Sequence, residues 1–150
     1  MKIRLNINDG DYERIHNELI QHGIEPDDSA ELVLSKVNGF AEKLVVKDTS
    51  TNERVIVSCG DIVYIESYGH MINVTTGNAV YYANERLYKI SEQLNKTDFL
   101  RISNSVIVSK KHIKKITPTL SMKFILTLSN ESRVDVTRSY YHSFKETFKI

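Results

Sequence analysis

The residues best equipped for chemistry lie between Phe99 and Ile116. This stretch holds Arg101, Lys110, Lys111, Lys114 and Lys115 together with His112, and it contains no acidic residue. Ser103-Asn104-Ser105 stands just ahead of the apolar run Val106-Ile107-Val108. Cations attract a polyanion, while an amide and two hydroxyls can donate to and accept from readable edges. Acid-free basic surface beside such groups points to nucleic acid as the first ligand to consider.

Catalysis finds little support. His16, His22, His70, His112 and His142 are scattered, without metal-ligand spacing or an acidic partner at a fixed offset. Cys59, the only cysteine, lacks the local signature of a nucleophile, and no glycine-rich phosphate loop occurs. The expectation is a non-enzyme that needs no cofactor.

The elements that must position the basic stretch are mostly short strands. Segments 43–47, 54–58, 62–65, 71–74 and 79–82 are separated by turn-rich pieces such as Cys59-Gly60-Asp61 and Thr76-Gly77-Asn78. A helix with Asn84 as its cap buries Leu87, Ile90 and Leu94 and ends at Asn95. A central buried strand at 105–109 follows, then strands at 124–128 and 133–136 flanking a Ser129-Asn130 turn. Tyr141, Phe144 and Phe148 at i, i+3, i+7 mark a closing amphipathic helix. The body is therefore mainly β, with helical decoration.

Ahead of it, residues 2–7 alternate as a strand, and Tyr12, Ile15 and Leu19 mark a helix that Gly23 stops. Pro26-Asp27-Asp28 reads as a turn, residues 30–37 as either a strand or a short helix, and Asn38-Gly39 as the close. The chain thus divides into an appendage at 1–40 and a body at 41–150. A strand–helix–strand of this size buries little alone and needs a surface to pack on, the body or a second copy. The formal charge of +1 conceals an asymmetry, because residues 1–40 carry four basic and eight acidic side chains and the remainder sixteen and eleven. One cysteine in 150 residues fits a reducing, cytoplasmic compartment, and no window is long and apolar enough for a membrane helix.

Asp61-Ile-Val-Tyr-Ile-Glu66-Ser, then Phe99-Leu-Arg101-Ile-Ser-Asn104-Ser105-Val-Ile-Val, then Ile113 and Ile116, resembles the LytTR DNA-binding domain. The resemblance covers about residues 41–148. It implies a LytTR-type fold of short, mostly antiparallel strands with two or three short helices. It further implies a transcription regulator that inserts loops, not a recognition helix, into double-stranded DNA at promoter direct repeats. Carried over residue by residue, it points to His70 in a first loop, to Asn104 with Ser105 and Arg101 in a second, and to Arg138 with Ser139 in a third. Lys110 and Lys111 would add sequence-independent attraction. Family members carry a second basic residue and a histidine where this chain has Ser103-Asn104. The family is typically fronted by a receiver domain of about 120 residues, a domain size for which residues 1–40 leave no room. A one-component regulator, homodimeric at least on DNA and with no membrane partner, is the expectation.

Each residue also has a plainer use. Arg138 could pair with Asp135 or Glu131, Asn104 could simply form a turn, and Arg101 could bond loop carbonyls. The lysines could guard a sheet edge. Tyr64, Tyr68, Tyr81 and Tyr82 leave open a β domain that stacks single-stranded nucleic acid, although alternation puts several of them inside. A pure protein-interaction module would show no polyanion affinity at all.

Overall fold

The computed structural model describes residues 1–7, 9–35 and 39–150. The chain divides into two compact units, Met1–Gly39 and Phe40–Ile150.

The first unit is a parallel strand–helix–strand. Strand β1 (Lys2–Asn6) leads to helix α1 (Asp9–Gln21), then to β2 (Glu25–Pro26) and β3 (Val33–Ser35), in the sheet order β2-β1-β3. Gly23 ends α1 at φ 76°, where the Gly23 amide donates to Ile20 O at 3.0 Å and the Ile24 amide to Leu19 O at 2.9 Å. These two bonds form a Schellman cap, whose left-handed residue is almost strain-free only as glycine. Pro26 corrects one expectation. It is the end of a strand paired with Ile3, and the turn begins at Asp27, whose carboxylate holds the Ser29 amide. The segment open to two readings is a strand at Val33–Ser35; the close expected at Asn38 lies outside the described residues. Ile3 is the one buried residue among those described in this unit, and Ile20, Leu32, Val33 and Leu34 are exposed.

The second unit contains β4 (Lys43–Asp48), β5 (Arg54–Ser58), β6 (Ile62–Tyr68), β7 (Met71–Thr76) and β8 (Val80–Ala83). Helix α2 (Leu87–Gln93) follows, then β9 (Phe99–Arg101), β10 (Val106–Ser109), β11 (Ile113–Pro118), β12 (Phe124–Leu128), β13 (Arg133–Val136) and α3 (Tyr141–Phe148). An antiparallel sheet runs β5-β4-β8-β7-β6-β10-β9, and β11-β12-β13 form a second antiparallel sheet. The body is mainly β, as its alternation requires.

Two apolar cores meet at β10. Leu87 and Ile90 of α2, with Leu94 just after it, pack with Leu44, Val46, Ile65 and Ile107 on one side. Val106 and Val108 point to the other, among Leu126, Leu128, Val136 and Phe144. Strand β10 is consequently buried on both faces, which explains its unbroken apolar run. Alternation along β6 puts Ile62 in the first core and Val63 in the second, and the register shift between Ile62 and Tyr64 leaves Tyr64 on the second core as well.

Two features escaped the sequence pattern and one cap differs. Strand β9 is only three residues long. Strand β11 has its half-buried Ile113 and Ile116 three apart, because a bulge between Ile113 and Lys115 breaks strict alternation. Asn84 does not cap α2. Ala83 still pairs with Ile72, three residues are needed to turn the chain, and Arg86 occupies the cap position without a side-chain bond.

Phe144 is 1% exposed and its ring lies 5.2 Å from Phe124 and 4.7 Å from Phe148. Phe144→Ala should cost about 3–5 kcal/mol of unfolding free energy, measured by urea denaturation; a loss below about 1 kcal/mol would mean that α3 does not anchor the second core. In the first unit, Asp27 accepts from the Ser29 hydroxyl at 2.7 Å and the Lys2 ammonium at 3.0 Å. The Ser29 hydroxyl leads the bonds that lower the Asp27 pKa to about 2. A depressed carboxylate stabilises above its unfolded pKa, and that contribution disappears as pH falls through the folded value. Amide protection within residues 1–39 should therefore drop between about pH 4 and about 2. In Asp27→Asn this step should be absent, and an unchanged step in the variant would assign it to another group.

Candidate nucleic-acid interface

Strand register brings the expected loops together from three separate parts of the chain. Glu66 of β6 stands opposite Val106 of β10, and one step further the Ser67 amide donates to Ser105 O at 2.8 Å. Strand β6 continues past that point to Tyr68, which pairs with Met71 across the two-residue turn Gly69-His70. Gly69 has φ 60° while His70 keeps a negative φ, the backbone pattern of a type II′ hairpin turn. Glycine at the first turn position thus fixes where the exposed His70 projects. That requirement is readable in Gly69-His70 only once the flanking strands are known to extend to Tyr68 and Met71.

The second loop, Ile102–Ser105, is held from within. Arg101 Nε donates to Ser103 O at 2.9 Å and its Nη2 donates to Asn104 O. The Ser105 amide donates to Ser103 Oγ at 3.2 Å. A planar guanidinium suits two carbonyls at once, and its remaining N–H groups stay available. Arg101 thus has the structural use that its residue type allowed.

The third loop follows β13. The Thr137 amide donates to Ile102 O at 3.0 Å, and the Tyr140 hydroxyl donates to Asn104 Oδ1 at 3.3 Å. Tyr140 was not singled out by sequence; an aromatic two places after Arg138 is the only trace it leaves there. With its carbonyl and Oδ1 both engaged, Asn104 is exposed and retains two amide donors for a ligand. Arg138 opens a 3₁₀ turn, Arg138–Tyr140, and α3 starts only at Tyr141. Thr137 still bonds back to Ile102, so Arg138 lies in a turn ahead of α3 and not in the helix itself. Arg138 and Ser139 are exposed, and Arg138 has neither an ion pair nor a side-chain hydrogen bond among the described residues. Glu131 instead holds Lys114 at 2.7 Å, a contact that keeps the Glu131 carboxyl below its usual range.

The remaining cations lie elsewhere. Lys110 and Lys111 begin the 3₁₀ turn Lys110–His112 at the far end of β10. Five strand steps from Ser105 to Lys110 span about 16 Å. His112 Nε2 donates to Gly60 O at 3.2 Å, and its Nδ1 is 2.7 Å from Ser129 Oγ, so this ring ties turns together. His70, Arg101, Asn104, Ser105, Arg138 and Ser139 therefore gather at one edge, and Lys110 and Lys111 do not join them. Tyr64 and Tyr81 pack against the cores while Tyr68 is 74% exposed.

The model of the LytTr DNA-binding domain family matches residues 52–149. The sensory transduction protein LytT of Bacillus subtilis is 30% identical over 96 residues, which cover 64% of this chain and 40% of that protein. The transcriptional regulatory protein LytR of Staphylococcus aureus is 31% identical over 90 residues, covering 60% and 37%. This chain thus spans well under half the length of these two relatives. A solved LytTr DNA-binding domain from Bacillus cereus superposes with a TM-score of 0.69 at 25% identity, over 73% of this chain and 99% of that one. With the family model matching most of its length and the β architecture in agreement, this chain belongs to the LytTR DNA-binding domain family.

Proposed function

We propose that this chain binds double-stranded DNA in a sequence-specific manner through its three gathered loops, at promoter direct repeats, and regulates transcription. The observation that carries this reading is the row of bonds Ser67–Ser105, Ile102–Thr137 and Asn104–Tyr140, which unites the loops beside an exposed Arg138 that has no ion pair among the described residues.

Arg138 is the residue for direct readout, since its fork can bond both acceptors of a guanine edge. His70 reads a base edge or holds a phosphate from the neighbouring turn, and the Asn104 amide faces the groove between them. Ser105 and Ser139 offer hydroxyls to phosphates, contacts that position without specifying. Arg101 acts mainly as a positioning residue, with its spare N–H groups directed to the backbone. Lys110 and Lys111, at the other end of β10, contribute a long-range field that speeds encounter. Residues 41–150 form the DNA-binding domain. Residues 1–40 are the means by which two copies pair on tandem half-sites, and their thin core and exposed Leu32, Val33 and Leu34 favour that use.

The test is a fluorescence titration of labelled duplex from this gene's upstream region across a salt series, with random duplex and single strand as competitors. Arg138→Ala should lose about 1–3 kcal/mol on the specific duplex and keep its affinity for random duplex within about twofold. Equal loss on both would make Arg138 a phosphate contact, and no duplex binding at low salt would remove the regulator reading. Arg101→Lys should leave global unfolding within about 1.5 kcal/mol but speed hydrogen exchange at the Ser105 amide, because lysine cannot bridge both carbonyls. Unchanged exchange there would show that the loop holds its shape without the fork.

A further inference from the structure

The hairpin that carries His70 ends in two apolar side chains that belong to neither core. Tyr68 of β6 and Met71 of β7 stand opposite one another across the turn Gly69-His70, so both project from one face of the ribbon. Tyr68 is 74% exposed and Met71 44%. The next pair inward on this face is Glu66 and Asn73, which confines the apolar area to the tip. Alternation identifies the face. Tyr64, on the same side of β6 as Tyr68, packs against the second core, and so does Tyr140 of the third loop. Ile72, the residue after Met71, turns instead to the first core. Tyr68 and Met71 therefore share the sheet face on which the third loop rests.

One exposed apolar residue on a protein surface is ordinary. Two that touch, at the tip of a hairpin built into the candidate DNA edge, ask what covers them. The tip is continuous with that edge, because the Ser67 amide, directly behind Tyr68, donates to Ser105 O. The major groove of B-DNA admits a two-stranded β-ribbon, and the one methyl group among its base edges is the 5-methyl of thymine. Paired strands lie about 4.8 Å apart and the groove is about 12 Å wide, so a hairpin fits it end-on. His70, on the turn between the two side chains, has only polar edges to offer a base. The Tyr68 ring loses few torsions when it is held against a flat edge, and the Met71 thioether adapts its shape to what it meets. We infer that Tyr68 and Met71 form an apolar clamp for a thymine methyl group, which gives the first loop a preference for a T·A pair beside the base that His70 meets. This rests on the duplex-binding reading above, and it adds a base selected by apolar contact to those selected by hydrogen bonds.

Replacing each thymidine of the upstream duplex in turn by deoxyuridine removes the methyl and keeps every hydrogen-bonding group. Titrated with the full chain at fixed salt, at least one such duplex should bind about fourfold more weakly, the worth of one methyl group taken out of water. The double variant Tyr68→Ser, Met71→Ser should bind that thymine duplex and its uracil counterpart equally. Tyr68→Phe should keep the discrimination, because the ring and not the hydroxyl makes the contact. Both side chains lie outside the buried cores, so these variants keep the fold on which the comparison depends. Specific binding of the unmodified duplex with no thymine sensitive to loss of its methyl would overturn the inference and leave the DNA-binding reading standing. A sensitivity that survives in the double variant would do the same. Tighter binding of single strand than of duplex would overturn both, and would assign Tyr68 to base stacking.

Discussion

Everything in the second unit depends on burying β10 on both faces. Ile107 faces the core built on α2, whereas Val106 and Val108 face the core closed by α3. A strand enclosed in this way cannot slip by one residue without exchanging the contents of the two cores. Its neighbours β6 and β9 are set in register by the same constraint, and so are the groups at its two ends. The Ser103-Asn104-Ser105 loop and the Lys110-Lys111 turn are thus held apart by a rigid rod.

Rigid placement is what loops require if they are to read a duplex. The three turns come from distant parts of the sequence, yet each rests on a strand end and is tied to its neighbour by at least one backbone amide or side-chain hydroxyl. Side chains mounted in this manner lose little further freedom on binding, which favours specificity over plain attraction. The separation of charge follows the same logic. Arg138 stands at the loop edge with no ion pair among the described residues, whereas Lys114 is committed to Glu131.

Much of this was legible in the residues. Val106-Ile107-Val108 between serines announced a buried strand, and the i, i+3, i+7 aromatics announced α3. Local signals failed where tertiary structure overrode them. The bulge in β11 put Ile113 and Ile116 out of alternation, and Ala83 kept its strand partner, which moved the start of α2 beyond Asn84. At the candidate site, residue types at 70, 104 and 138 suggested chemistry but not proximity. Only register could bring them to one edge, and only register could send Lys110 and Lys111 to the other. Tyr140 had no signal of its own, because its use depends on Asn104 lying 3.3 Å away, thirty-six positions earlier.

On the proposed reading, duplex DNA meets the loop edge and not the lysine turn. Hydrogen–deuterium exchange of the full chain, with and without its specific duplex, tests it most directly. Slowed exchange at residues 67–70, 102–105 and 137–140, with residues 109–112 unchanged, is the predicted result. Protection centred on 109–115 with the three loops unaffected would contradict it.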